Sequence, residues 1–191
     1  DDGVVLSANY IFLQPRSPFG LHDFAGANTF MLGLLKNNID ALGLSADATQ
    51  FDSTIQRTER MLRNGLLVEA SMADRTADTA FIDVKLTNLA GHKFPSGYPA
   101  RRAWVELVVT DANGDTLFHN GAWDGSYDVV GHDASWEPHH DVIRNTEDVQ
   151  IYEMVMADVN GDNTTVLERA ADKLKDNRLT PDLFSSAHYT N

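Results

Sequence analysis

The sequence predicts a mainly β fold: an antiparallel sandwich of the immunoglobulin or fibronectin-III type, preceded by an extended arm and two helices. From position 66 onward, apolar and polar residues alternate in short runs separated by turn residues, which is typical of antiparallel strands. Before position 66, apolar residues recur at helical spacing instead. The expected organisation is an arm over residues 1–23, a helical hairpin over 24–65 and a sandwich with long inserted loops over 66–191.

Composition narrows the classes of function. The chain has 191 residues, of which 42% are hydrophobic, so it contains enough apolar material for a core. Its 28 acidic residues exceed its 15 basic ones, and the net charge of −13 argues against nucleic-acid binding. No run approaches the roughly 18 apolar residues of a membrane-spanning helix. Cysteine is absent, which excludes disulfides, thiolate metal sites and covalent haem attachment through C-x-x-C-H within these residues.

The arm and the first helix are predicted from residues 1–43. Residues 1–20 have no sustained periodicity and contain Pro15, Pro18 and Gly20, so they are expected to be extended. One helix is expected from Asn28 to the stop at Gly43. Its apolar positions follow the helical period: Met31, Leu35, Ile39 and Leu42.

A second helix is expected after Gly43. Ser45 is the predicted N-cap, and Asp47 is well placed for the helix dipole. The helix is expected to end at Asn64 and Gly65. Its predicted buried face consists of Phe51, Ile55 and Leu62.

The remainder of the chain predicts strands and turns. Five strands are expected at residues 66–72, 80–86, 103–110, 116–120 and 149–156. Two Asn-Gly sequences, within residues 111–115 and 158–162, predict tight turns. Residues 164–174 fit either a helix or a strand, and the spacing of their apolar residues favours a helix.

Two long loops, at residues 88–102 and 121–148, are the expected location of function, because loops of this length are uncommon without one. In the first, Gly91 is expected to allow a sharp turn, while Pro95 and Pro99 stiffen the loop and hold His92 in one direction. A fixed imidazole suits an axial ligand or a proton donor. The alternative is that His92 only shapes the loop by bonding to its backbone.

Other candidate residues lie in the arm and in the second loop. His22 lies in the irregular arm between aromatic neighbours, where it is either a ligand for a docked group or an ordinary surface histidine. His139, His140 and Asp141 resemble half of a metal site, since imidazole and carboxylate suit zinc, copper or iron. Neighbouring side chains on an extended chain point to opposite sides, so this site needs further ligands. The candidates are His119 and His132.

A third hypothesis comes from the aromatic residues of the second loop. Trp123, Tyr127 and Trp136 are candidate stacking platforms for a carbohydrate in an adhesion module. Aromatic residues at this spacing also serve as loop anchors in the core, so both interpretations remain open.

Several segments together resemble a known family. They read HDFAGANTF at 22–30, TNLAGHKFPSGYPARRAW at 87–104, EPHHDVI at 137–143, QIYE at 150–153 and LKDNRL at 174–179. In their order, they resemble the carboxy-terminal part of bacterial multihaem c-type cytochromes. In that family the C-x-x-C-H repeats lie upstream, and a β-rich domain follows them.

The resemblance implies an electron-transfer component rather than an enzyme. It implies that haem c is carried by another segment or by a haem-bearing partner chain, since C-x-x-C-H is absent here. It raises His22 first and His92 second as distal ligands to haem iron. It also implies export to the periplasm or the cell surface. Whether the chain forms a homo-oligomer is left open.

Overall fold

The computed structural model describes residues 5, 9, 12, 14–15, 25–97, 100–126, 128–132, 135–182 and 184. The chain divides into two compact units, Asp1–Asn64 and Gly65–Asn191. Most of the predicted extended arm lies outside the described residues. His22 also lies outside them. Within the described part, none of the helices has the length and apolar character needed to cross a membrane.

The first unit contains α1 (Thr29–Lys36), α2 (Ile39–Leu42) and α3 (Ala48–Asn64). The prediction of one continuous helix up to Gly43 is wrong, because the helix is interrupted between α1 and α2. The amide of Asn38 donates to the carbonyl oxygen of Leu34 at 2.8 Å, so the side chain competes with the backbone for that acceptor. Gly43 ends α2 in the left-handed conformation (φ 60°), as predicted.

Helix α3 begins after Asp47 rather than after the predicted Ser45. The Asp47 carboxylate accepts from the backbone N–H of Gln50 at 2.8 Å, and the Gln50 side chain accepts from the backbone N–H of Asp47 at 2.9 Å. This reciprocal pair is a capping box. Of the predicted buried face, Phe51 is buried but Leu62 is exposed. Lys36 pairs with Asp52 at 2.6 Å and thereby links α1 to α3.

The described residues of the second unit form three antiparallel sheets, which confirms the mainly β prediction. One hairpin comprises β1 (Leu66–Arg75) and β2 (Ala80–Asn88), and another comprises β4 (Leu107–Thr110) and β5 (Thr116–Asn120). In the third sheet, β6 (Ile151–Ala157) pairs with β3 (Arg102–Trp104), β7 (Asn163–Thr164) and β8 (Asp172–Asp176). The sheets are small and separate, so a sandwich stays a prediction.

The single strand predicted at 103–110 is divided into β3 and β4, which join different sheets. Gly121 has φ +74°, and a Cβ atom there would lie 2.2 Å from the carbonyl oxygen of Val105. The indole N–H of Trp104 donates to the carbonyl oxygen of Gly121 at 3.0 Å. The chain after β5 therefore lies directly against the junction of the two strands, and only glycine fits at this approach.

The helix favoured at 164–174 is also wrong. This stretch forms β7, one 3₁₀ turn (Leu167–Arg169) and β8. Strand β8 pairs with β6 and buries Lys175, whose ammonium lies 2.8 Å from the carboxylate of Glu153 and 3.0 Å from the carbonyl oxygen of Ile151. Pairing with a central strand thus overrides the local periodicity.

The core of the second unit is small and is built around the start of β6. Val129, Val149 and Ile151 are at most 2% exposed, and Trp104 packs against them. Buried polar residues accompany these apolar ones on and beside β6: Gln150, Glu153 and Lys175. The two histidine-bearing loops are consequently held by hydrogen bonds as much as by apolar packing.

Candidate functional site

The loop that follows β2 carries His92 and is anchored by Asn88, which is 2% exposed. The Asn88 amide donates to the carbonyl oxygens of His92 at 2.7 Å and Leu179 at 3.0 Å, and its oxygen accepts from the N–H of Ala90 at 2.9 Å. Phe94 and Leu179 exchange backbone hydrogen bonds of 2.9 and 2.8 Å. The backbone around His92 is therefore fixed on both sides.

The rigidity of the His92 loop has a different cause from the one predicted. Gly91 does not have the positive φ that would require glycine, and a Cβ there would meet open space. Pro95 is buried, and Pro99 lies outside the described residues. The hydrogen bonds of the buried Asn88 amide fix the loop. Glycine is not required at position 91 for this rigidity.

One ring nitrogen of His92 has no hydrogen-bond partner among the described residues. The residue is exposed, and Nδ1 lies 3.3 Å from the carbonyl oxygen of Lys93. A carbonyl oxygen only accepts, so Nδ1 carries the proton in the neutral ring and Nε2 keeps its lone pair. Histidines that bind metals are commonly oriented in this way, with one ring N–H donated to a carbonyl and the other nitrogen directed at the ion.

A buried carboxylate links the His92 loop to β8. The ammonium of Lys93 lies 2.8 Å from Asp176, and the guanidinium of Arg178 donates to both oxygens of Asp176 at 2.8 and 3.1 Å. The hydrogen bonds from Arg178, followed by those from Lys93, hold the pKa of Asp176 well below its usual range. The residue next to His92 is therefore anchored to the sheet by charge-assisted hydrogen bonds.

His139 has the opposite hydrogen-bonding pattern. Its Nδ1 lies 2.7 Å from the amide nitrogen of Gln150 and 3.1 Å from that of Asn177. Both amides are oriented by backbone groups: Gln150 accepts from the N–H of His140, and Asn177 accepts from the N–H of Glu153. Two donors thus face Nδ1, so Nδ1 accepts and Nε2 carries the proton.

This tautomer bears on the predicted metal ligands. The protonated Nε2 of His139 lies 3.5 Å from Asp141, whose side chain is 95% exposed. The Nε2 of His140 is buried and has no hydrogen-bond partner among the described residues. Across the described ranges, no three His, Cys, Asp or Glu side chains are grouped so that they could hold a metal ion. A metal at His139, His140 and Asp141 stays a prediction, and binding through Nε2 of His139 would require the two amides to rearrange.

The other two histidines that the structure describes, His119 and His132, have carboxylate partners. His119 lies 2.9 Å from Glu106, and Nδ1 of His132 lies 2.9 Å from Asp128. The contact with His132 is the main cause that lowers the pKa of Asp128. Sequence reasoning considered His132 only as an extra metal ligand and missed Asp128, although the four-residue spacing between them was a usable signal.

The aromatic residues of the second loop that the structure describes differ in exposure. Trp123 is 57% exposed, and its ring meets that of Trp104 edge-on, with centroids 4.6 Å apart. Trp136 is half-buried, and Tyr127 lies outside the described residues. The carbohydrate hypothesis stays a prediction.

Comparisons with known proteins add no relative: no family model, no curated protein and no solved structure matches this chain.

Proposed function

We propose that this chain is a module of a multihaem c-type cytochrome electron-transfer system, in which His92 is a distal axial ligand to a haem held by another segment or chain. We also propose that the three sheets form parts of an immunoglobulin or fibronectin-III-like sandwich, and that the module is exported. His22 is a second proposed ligand. The haem would supply the one-electron chemistry, and this chain would supply ligation and docking surface.

The observation that carries the proposal is the state of His92. Its Nδ1–H faces a carbonyl oxygen, and on this exposed residue Nε2 keeps its lone pair, which is the form that an axial ligand needs. Haem iron takes a single histidine on its open side, so His92 suits it without the further ligands that an isolated metal ion would need. His139, in contrast, has its proton on Nε2.

The rigidity of the loop adds to this argument. A ligand on a mobile loop would lose conformational entropy when it binds iron. The Asn88 amide and the Phe94–Leu179 bridge order the His92 backbone beforehand. The loop is therefore preorganised, which favours ligation by His92.

The test uses a haem c peptide that carries one histidine ligand of its own, so that its sixth position is open. Titration with the wild-type chain should convert the visible spectrum from high-spin to the low-spin form of bis-histidine ligation. The variant His92→Ala should lose this conversion. The control is His119→Ala, because the Nε2 of His119 is already engaged by Glu106, and this variant should behave like the wild type.

Two results decide against His92. One is a His92→Ala titration indistinguishable from that of the wild type. The other is loss of the low-spin form only in His22→Ala, which would assign ligation to the arm. Imidazole ¹⁵N shifts provide an independent readout of the free chain, where His92 should be protonated at Nδ1 and His139 at Nε2.

A further inference from the structure

A second site is suggested by a cavity of about 380 Å³ in the Gly65–Asn191 unit. It lies beside β6, away from the ring nitrogen of His92 that the proposed function uses. The side chains that matter for its chemistry are Arg102, His132, Ser135, Glu153, Asn163 and Thr164. Cavities of a few hundred Å³ with a few convergent polar groups are typical of small-ligand sites.

The hydrogen bond to Asp128 determines the tautomer of His132. A carboxylate only accepts, so Nδ1 of His132 carries a proton and donates it to Asp128 across 2.9 Å. The 3.4 Å approach of the Arg102 guanidinium to the same Nδ1 is then a contact rather than a hydrogen bond. Nε2 of His132 has no hydrogen-bond partner among the described residues, so it is available to a ligand in the cavity.

Arg102 is held in place by the same carboxylate. Its guanidinium donates to Asp128 at 3.2 Å, and its side chain is 31% exposed. A guanidinium has five N–H donors in a planar fork, and the described residues engage only part of it. Asp128 therefore holds Arg102 and His132 side by side at one wall of the cavity.

The charges of the described residues select the class of ligand. Glu153 is buried, and its charge is balanced by the equally buried Lys175 at 2.8 Å. Arg102 balances Asp128. A ligand carboxylate can accept from Nε2 of His132 only when both ring nitrogens carry protons, and the cavity wall then has one net positive charge, which matches a monoanion. A planar carboxylate also fits the guanidinium fork.

We infer that this cavity binds a carboxylate group through Arg102 and His132, with Asp128 as the residue that positions both. Two sources share this chemistry: a small free carboxylic acid and a propionate of a docked haem. Only the second source rests on the proposed function.

The first experiment titrates the full chain with sodium acetate and follows backbone and side-chain NMR shifts. Wild type should show saturable shifts at Arg102 and His132. Arg102→Gln and His132→Gln should each weaken binding by about tenfold or more. Arg101→Gln is the matched control, because Arg101 bonds to the carbonyl oxygen of Ser96 and does not line the cavity.

Each outcome of this experiment is decisive. Absence of saturable shifts in wild type, or equal affinity in Arg102→Gln and the Arg101→Gln control, overturns the site. If Arg102→Gln fails to fold, the decision passes to His132→Gln, whose acetate affinity should be weak. Wild-type affinity in His132→Gln overturns the inference.

The second experiment distinguishes the source of the carboxylate. The haem c peptide is compared with its propionate dimethyl ester. Weaker binding of the ester to wild type, with no such difference in Arg102→Gln, assigns the cavity to a propionate. Equal binding of the two peptides beside a normal acetate titration supports a free acid as the ligand. Loss of the low-spin spectrum in both peptides would count against the proposed function and leave the acetate result standing.

Discussion

Asn88 is the residue on which the geometry of the His92 loop depends most, and its replacement gives a quantitative test. Asn88→Ala removes three side-chain hydrogen bonds, to His92, Leu179 and Ala90. At about 1 kcal/mol net for each bond, the second unit should lose about 3 kcal/mol of unfolding free energy. His92 should also lose its fixed backbone, so binding of the haem c peptide should weaken.

Asn88→Asp separates the role of the amide from that of side-chain size. The aspartate keeps the acceptor for the N–H of Ala90 but replaces the donating NH₂ with an oxygen. That oxygen would face two carbonyl oxygens, which lie 2.7 and 3.0 Å from the amide nitrogen in the wild type. At neutral pH this variant should therefore be less stable than Asn88→Ala, because a buried charge opposes two acceptors.

The assay is urea unfolding followed by tryptophan fluorescence. All three tryptophans lie in the Gly65–Asn191 unit, so the signal reports on this unit alone. The control is Asn113→Ala in the exposed turn after β4, which should change the unfolding free energy by no more than about 0.5 kcal/mol. Stability of Asn88→Asp within the same margin of wild type would refute the assigned role of the amide.

Three further predictions follow from buried or constrained positions. Lys175→Met should destabilise the second unit by about 3–5 kcal/mol, because it leaves the Glu153 carboxylate buried and unpaired; adding Glu153→Leu should recover most of the loss in urea unfolding, and no recovery would contradict the pairing. Gly121→Ala should destabilise far more than Gly114→Ala, since both glycines have positive φ but only at Gly121 would a Cβ collide with a backbone carbonyl; equal midpoints of thermal unfolding would refute the close approach. Asp176 has a lowered pKa, caused first by Arg178, so its contribution to stability is complete above the unfolded-state pKa near 3.8 and is lost as pH falls toward the lower folded value. In Asp176→Asn the decline of unfolding free energy below about pH 4 should be shallower, and an unchanged acid profile would contradict this assignment.

Local signals predicted the elements whose hydrogen bonds close within a few residues. The turn at 111–115 forms as expected, because the Asp111 carboxylate accepts from the N–H groups of Asn113 and Asp115. Gly43 ends its helix for an equally local reason, its freedom to take positive φ. The alternating pattern at 66–72 and 80–86 predicted the hairpin of β1 and β2, which extends further than the pattern, to Arg75 and Asn88.

The candidate site was only partly predictable. The sequence identified His92 as a candidate from its loop, and the resemblance placed it second as an iron ligand. It did not indicate that Asn88 holds the loop, because the bond from Asn88 to Leu179 joins residues that are distant in sequence. The other two groups bonded by Asn88 are its neighbours. His132 was considered only as an extra metal ligand, and its contacts with Asp128 and with Arg102, which is 30 residues away in sequence, were not predicted.

By itself, the sequence determined the mainly β character of the chain, the helix end at Gly43, the Asn-Gly turns, and the loops that carry its histidines, because each depends on the period or torsional preference of adjacent residues. Tertiary structure decided which ring nitrogen of His139 holds the proton. The amides of Gln150 and Asn177, both distant from His139 in sequence, face its Nδ1. It also decided that 103–110 divides and that β8 is a strand, because pairing partners far along the chain contribute more free energy than the local preference.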